Sequence, residues 1–188
     1  MLMASAAWSQ TVTITASHDD PDGIVAPGQT VHITHTLSMT AYMVSDWRGD
    51  AAVTPNLGAA SNISSYFVPS PWASFTGPSG GSVVGFAASH PVPLFVPVVI
   101  PPWNAPQSIL MEYDWTAPSE PGVYEFRWTP HPSSPLVSGY LSSTTGVLTP
   151  YPTTYLGATL TVIPAPAAAP LLLAAALVPN RRQSKTSR

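Results

Sequence analysis

ILMEYDWTAPSEPGVYEFRW, residues 109–128, holds two alternating runs separated by a proline-rich turn. In the first run Ile109, Met111, Tyr113 and Trp115 fall on one side, with Leu110, Glu112 and Asp114 on the other. In the second, Tyr124, Phe126 and Trp128 share a side, with Glu125 and Arg127 opposite. A period of two is the mark of a strand with one buried face. Between them Ala117-Pro118-Ser119-Glu120-Pro121-Gly122 supplies turn residues. The pattern predicts a hairpin of 109–115 with 123–128, its aromatic side buried against a second sheet. If Glu112 falls opposite Arg127, the outer face gains an ion pair worth well under ~1 kcal/mol.

The same alternation extends outward. Val12 and Ile14 oppose Thr11, Thr13 and Thr15; Val31, Ile33 and Leu37 follow the turn Ala26-Pro27-Gly28-Gln29; Leu156, Ala158, Leu160 and Val162 close the series. Ser82 to Ala88, Leu94 to Ile100 and Gly139 to Leu148 are further strand candidates, and Pro69 to Gly81 and Pro91 to Pro106 are connectors. The 23 prolines confine regular structure to short segments, since proline removes a ladder donor and breaks helix interiors. About eight strands in one domain point to an all-β fold, an antiparallel β-sandwich of immunoglobulin-like, cohesin-like or jelly-roll type.

Only 8 % of the residues are charged, far below the usual ~25 %. Four of the six basic residues (Arg181, Arg182, Lys185, Arg188) lie at the extreme C-terminus. Residues 11–162 keep only Arg48 and Arg127 against all nine acids, a formal charge of −7. Such a domain has no electrostatic route to phosphate backbones, so nucleic acid is not an expected partner. The absence of cysteine excludes disulfides, thiolate metal sites and cysteine nucleophiles.

The two ends read differently from the middle. From Ala167 to Val178 every residue is Ala, Leu, Val or Pro. As a helix those residues span about 18 Å, short of the ~30 Å hydrocarbon core. Arg181 and Arg182 follow at once, as expected for a segment halted with its end in the cytoplasm. The order Pro164-Ala165-Pro166, apolar stretch, arginine pair resembles the PEP-CTERM sorting signal of Gram-negative bacteria, with Ala165 where that motif usually has glutamate. The resemblance covers about 163–182. It implies export, transient membrane anchoring through a C-terminal hydrophobic helix, and recognition by an exosortase, a membrane protease that removes the tail and releases the protein to the cell surface or matrix. Residues 1–10 read as the remnant of a signal peptide, with Ala7-Trp8-Ser9 fitting the small-x-small rule. Three segments result: 1–10, a sandwich over 11–162, and a sorting segment over 163–188.

Several motifs invite chemistry. Gly77-Pro78-Ser79-Gly80-Gly81 matches G-x-S-x-G, with Asp114 and His131 in hydrolase order, but a strand-like run rather than a helix follows it, so a turn is expected. The run from Gly122 to Leu136 is similar to the last ligand loop of cupredoxins, yet Trp128 and Leu136 replace the sulfur ligands and only His131 matches. His32 and His35 point to opposite faces of one strand. Asp19, Asp20 and Asp22 lack the spacing of a calcium loop. Glu112 and Asp114, two apart on a strand, have the separation of a glycosidase pair but also of any acidic strand face. Arg48-Gly49-Asp50 and the sequon Asn62-Ile63-Ser64 are short enough to arise by chance.

Trp72 and Trp103, flanked by proline, are placed to stack on sugar or to pin their loops to the core. No catalytic residue, metal or cofactor is expected. The reading is a non-enzymatic structural or adhesive surface protein; the alternative is a carbohydrate-binding module whose partner is extracellular polysaccharide.

Overall fold

The computed structural model describes residues 11–39, 46–65, 73–89, 108–133, 138–141 and 148–164. They form strands β1 (Val12–His18), β2 (Ile24–Val25), β3 (Thr30–Met39), β4 (Asp46–Thr54), β5 (Ala59–Ser64), β6 (Ala73–Ser74), β7 (Gly77–Ser79), β8 (Ser82–Ser89), β9 (Ser108–Thr116), β10 (Gly122–Thr129), β11 (Ser138–Leu141), β12 (Leu148–Pro150), β13 (Thr153–Leu156) and β14 (Ala158–Val162). No described residue is helical. The expected C-terminal helix, the leader remnant at 1–10 and the strand candidate at 94–100 lie outside the described residues.

Two sheets pack face to face. The front sheet runs β13-β1-β3-β9-β5; the back sheet runs β12-β11-β4-β10-β14-β2, with β8 on the other side of β4 and β6 and β7 on β8. Most pairs are antiparallel, but β1 pairs with β13 and β2 with β14 in parallel, so the sandwich is mixed rather than purely antiparallel. Parallel neighbours need long connections, which strand periodicity does not report.

The hairpin expected from residues 109–128 does not form. β9 pairs with β3 and β5 in the front sheet, while β10 pairs with β4 and β14 in the back sheet. Residues 117–121 are an arch between sheets. Ala117 is buried, and its N–H and C=O exchange bonds with Gln29 O and Gly28 N, which ties the end of β9 to the turn before β3. On the far side Tyr124 donates its hydroxyl to Glu120 O at 2.9 Å, the kind of tyrosine corner found in Greek-key sandwiches. The two aromatic rows therefore face each other. Trp115 meets Phe126 edge-on at 5.0 Å and Tyr124 at 5.3 Å, and Trp128 meets Phe86 at 5.5 Å. Such pairs contribute about 0.5–1.5 kcal/mol each beyond their buried area. Both indole N–H groups find carbonyls, Trp115 at Leu57 O and Trp128 at Arg48 O.

The Glu112–Arg127 pair is therefore absent, because the two residues face outward from different sheets. Arg127 instead donates to Tyr155 O at 3.1 Å and lies 3.8 Å from Glu125, an exposed contact of little energetic weight. A bulge between His35 and Thr36 shifts the register of β3 on β9. As a result Leu110 and Met111 are both buried, while Ile109, expected inside, is 42 % exposed. The closing strand also divides: Leu156 ends β13 on the front sheet, 49 % exposed, whereas Leu160 and Val162 are buried in β14 of the back sheet. Gly139 to Leu148, read as one strand, supplies the ends of two that pair with each other, Leu141 opposite Leu148.

Turn chemistry follows the sequence. Gln29 N donates to Ala26 O and Gly28 has φ +78°, a type II turn with proline and glycine at its two central positions. The glycine-rich motif supplies β7 and, with Gly80-Gly81, the two-residue loop of the β7–β8 hairpin, Ser79 opposite Ser82, and a Cβ at Gly81 would lie 2.6 Å from the Trp115 indole nitrogen.

One buried group stands apart. His35 is fully enclosed, stacked on Tyr113 at 6.2 Å and edge-on to Trp128 at 5.6 Å. Among the described residues neither ring nitrogen nor the Tyr113 hydroxyl has a hydrogen-bond partner. Burial holds the imidazole neutral, its pKa lowered to about 4, and pushes the Tyr113 phenol up. The unfolded chain, with His35 near 6.5, takes up the proton first. Stability from this site is therefore complete above that value and is lost as pH falls toward 4, by up to about 3 kcal/mol. In urea melts across this range, His35→Phe is expected to flatten the decline relative to the wild type. Parallel curves for the two proteins would contradict the assignment.

Candidate binding face

The outer face of the front sheet is built from the residues that alternate with the core. Along β3, Val31, Ile33, His35 and Leu37 turn inward, so Thr30, His32, Thr34 and Thr36 turn outward. β9 presents Glu112, Asp114 and Thr116, and β1 presents Thr13, Thr15 and Ser17. Register then sets the rows. Asp114 stands opposite His32 on one side and Ser61 on the other, and Glu112 stands between Thr34 and Ser64. One row further, Thr15 and Thr36 are neighbours, flanked by exposed Leu156 and Ile109.

At the centre of this face a polar network joins three strands. His32 Nδ1 lies 2.9 Å from Asp114 Oδ1, and His32 Nε2 lies 3.6 Å from Glu112 Oε2. From β5, Asn62 Nδ2 donates to Asp114 Oδ2 at 2.7 Å and Ser64 Oγ donates to Glu112 Oε1 at 2.9 Å. Asn62 reaches its partner because the β5–β9 register shifts between Ser61 and Ser64, where Asn62 adopts φ +50°, a left-handed conformation that asparagine tolerates. The His32 backbone N–H also donates to Asp19 Oδ1 at 2.9 Å.

The Asp114 hydrogen bond, supported by Glu112, raises the His32 pKa against the opposing effect of burial. Asp114 is lowered, first by Asn62 and then by His32. Stability linked to His32 is thus present below 6.5 and is lost as pH rises through its folded-state value. The side chains are 39 % (His32), 34 % (Glu112) and 27 % (Asp114) exposed, so the network is open to an incoming group.

The structure places the other sequence motifs as follows. His32 and His35 do face opposite ways. Asp114 serves His32, not His131. His131 Nδ1 instead lies 2.8 Å from Asp50 Oδ1, which also accepts from Gly85 N, so Ser79, Asp114 and His131 do not form one site. Asp50 is 8 % exposed within β4, so Arg48-Gly49-Asp50 is a strand segment rather than a displayed loop. The carboxylates of Asp20 and Asp22 accept from the Gly23 and Ile24 N–H groups and shape their own turn. Among the described residues no group of three or more candidate ligands could hold a metal.

Pro164 is exposed just after β14; Ala165, Pro166, Arg181 and Arg182, together with Trp72 and Trp103, lie outside the described residues. Sequence reasoning found Glu112 and Asp114 but missed Asn62 and Ser64 as their partners, and missed the Asp50–His131 pair. The even spacing of His32 with Thr30, Thr34 and Thr36 was the one available signal for the shared face.

No family model matches the chain, and no curated protein is significantly similar to it. Solved structures do resemble it. A chain in the crystal structure of a CaDoc0917 variant with CaCohA2 at pH 5.5 superposes with a TM-score of 0.50 at 15 % identity, over 81 % of this chain and 99 % of that one. The solution structure of CaCohA2 from Clostridium acetobutylicum gives 0.48 at 16 % identity, covering 80 % and 90 %. The second type II cohesin module of the cellulosomal adaptor ScaA scaffoldin of Acetivibrio cellulolyticus gives 0.47 at 12 %, covering 85 % and 99 %. The first of these, at a TM-score of 0.50, shares the β-sandwich fold, which resembles the cohesin-like type among the three that the strand pattern allowed.

Removing the Asp114 charge is expected to release His32. In an NMR pH titration, the imidazole of an Asp114→Asn variant should titrate lower than in the wild type, toward the ordinary histidine value. An unchanged midpoint would mean that the network does not hold His32.

Proposed function

We propose that this chain is an exported, non-enzymatic adhesive module, which presents its sandwich to a protein partner at the cell surface or in the extracellular matrix. The observation that carries the reading is the outer face of the front sheet, where partly exposed polar and charged side chains stand in rows across neighbouring strands. A surface of this shape suits a second macromolecule better than a small substrate, which is usually enclosed in a concave pocket. His32 and His131 each give a ring nitrogen to a carboxylate, and the motif serine, Ser79, is on a hairpin of the other sheet. In the complex of CaDoc0917 with CaCohA2 a structure of similar fold is found with another protein, which agrees with an adhesive role.

Delivery rests on the C-terminal segment. Among the described residues Val162, at 1 % exposure, is the last one in the core, Ile163 is already 43 % exposed, and Pro164-Ala165-Pro166 follows in the sequence. An exposed residue at the start of the proposed sorting segment supports reading that segment as separate from the described core. Its partners would be the export machinery and an exosortase-like membrane protease.

The test is fractionation of the full chain, expressed with its native upstream reading frame in a Gram-negative host with and without exosortase. The expected result is surface or extracellular protein whose mass lacks the tail, and membrane-retained, uncleaved protein without the enzyme. Intact chain in the cytosol of both strains would refute the proposal. A glycan array on the same protein addresses the alternative carbohydrate-binding role: saturable binding abolished by Trp103→Ala would favour that reading instead.

A further inference from the structure

We infer that the outer face of the front sheet docks a lysine- or arginine-bearing segment of a partner protein, whose cationic group is received at Glu112 and Asp114. The inference rests on the adhesive reading and names the chemistry of its partner.

Charge distribution argues for it first. Among the described residues no lysine or arginine lies on β1, β3, β5, β9 or β13; Arg48 and Arg127 are both on the back sheet, in β4 and β10. Among the described residues Glu112 and Asp114 are the only carboxylates on the strands of the front sheet. An approaching positive segment therefore meets attraction on this face, with no lysine or arginine of the described front-sheet strands to oppose it.

Geometry argues second. Two residues apart on β9, the carboxylates point the same way and are held by donors from β5, Ser64 and Asn62. From β3, His32, which carries positive charge when protonated, reaches toward both acids. The face thus already accommodates one cationic side chain of its own between the two acids. One row away, exposed Leu156 and Ile109 flank Thr15 and Thr36 and offer apolar contact beside the charged centre. That combination of apolar area and oriented charge is the composition of a protein interface.

His32 competes with the incoming cation for the same oxygens. Among the described residues the titratable groups facing it are Glu112 and Asp114 from β9 and Asp19 from the turn after β1. Binding should accordingly tighten as His32 loses its proton.

The experiment uses the purified full chain and fluorescein-labelled hexa-arginine, with hexa-glutamate as the control peptide, read by fluorescence anisotropy. Hexa-arginine is expected to bind, more tightly as pH rises through the His32 titration, and hexa-glutamate is not. Binding should weaken by about fivefold or more in Glu112→Gln/Asp114→Asn, the scale expected for losing partly exposed charges. It should weaken less in Glu112→Gln alone and be unchanged in Glu125→Gln on the back sheet. Equal affinity for the double variant and the wild type would overturn the inference. So would salt-sensitive self-association that requires the same two acids, since the partner would then be a second copy with its own basic C-terminus. Neither outcome depends on export, so this test and the fractionation fail separately.

Discussion

The contact of Trp115 with Phe126 and Tyr124 across the gap between the sheets is the constraint on which the rest of the molecule depends. It requires two successive aromatic strands to lie in different sheets and face each other, and so requires residues 117–121 to arch over rather than turn back. Once that is fixed, β9 is available to pair with β3 and β5, and β10 with β4 and β14. The outward residues are then assigned as well. Glu112 and Asp114 go to the front face, Glu125 and Arg127 to the back. A hairpin would have mixed these charges on one surface; the arch separates them, leaving an acidic front without lysine or arginine on its described strands.

Much of this was legible in the chain, because side-chain alternation records which residues face the core. The inward positions of Val12, Ile14, Val31, Ile33, Tyr113, Trp115, Tyr124, Phe126 and Trp128 all followed from period two. Partner choice did not follow, since a hairpin and an arch bury the same faces, and a proline-rich link of this length serves either. Ile109 and Leu110 exchanged their expected roles because of a bulge, which depends on pairing with β3. Leu156 and Leu160 read as one strand in the sequence because the change of sheet at Gly157 leaves no gap in the pattern.

The candidate site divides along the same line. Glu112, Asp114 and His32 were conspicuous by type, and His32 was correctly separated from His35 by strand geometry. Asn62 and Ser64 were invisible as partners, since β5 is AASNIS, with too little apolar alternation to be read as a strand. β4 was hidden in another way: Arg48-Gly49-Asp50 draws attention as a motif, while its role is to bring small residues against large ones. Ala51 stands opposite Trp128 and Gly49 opposite Phe86, and Asp50 turns to His131 and Gly85 N. Local sequence carries face and turn; bulges and strand partners come from the whole.

The arch between the sheets is open to direct measurement by backbone NOE contacts in an isotope-labelled sample. The account predicts cross-strand contacts of Trp115 with Val31 and of Trp128 with Ala51, and none between the backbones of β9 and β10. A ladder of backbone contacts joining residues 109–115 to 123–128 would restore the hairpin, and would contradict the separation of charges on which the binding face depends.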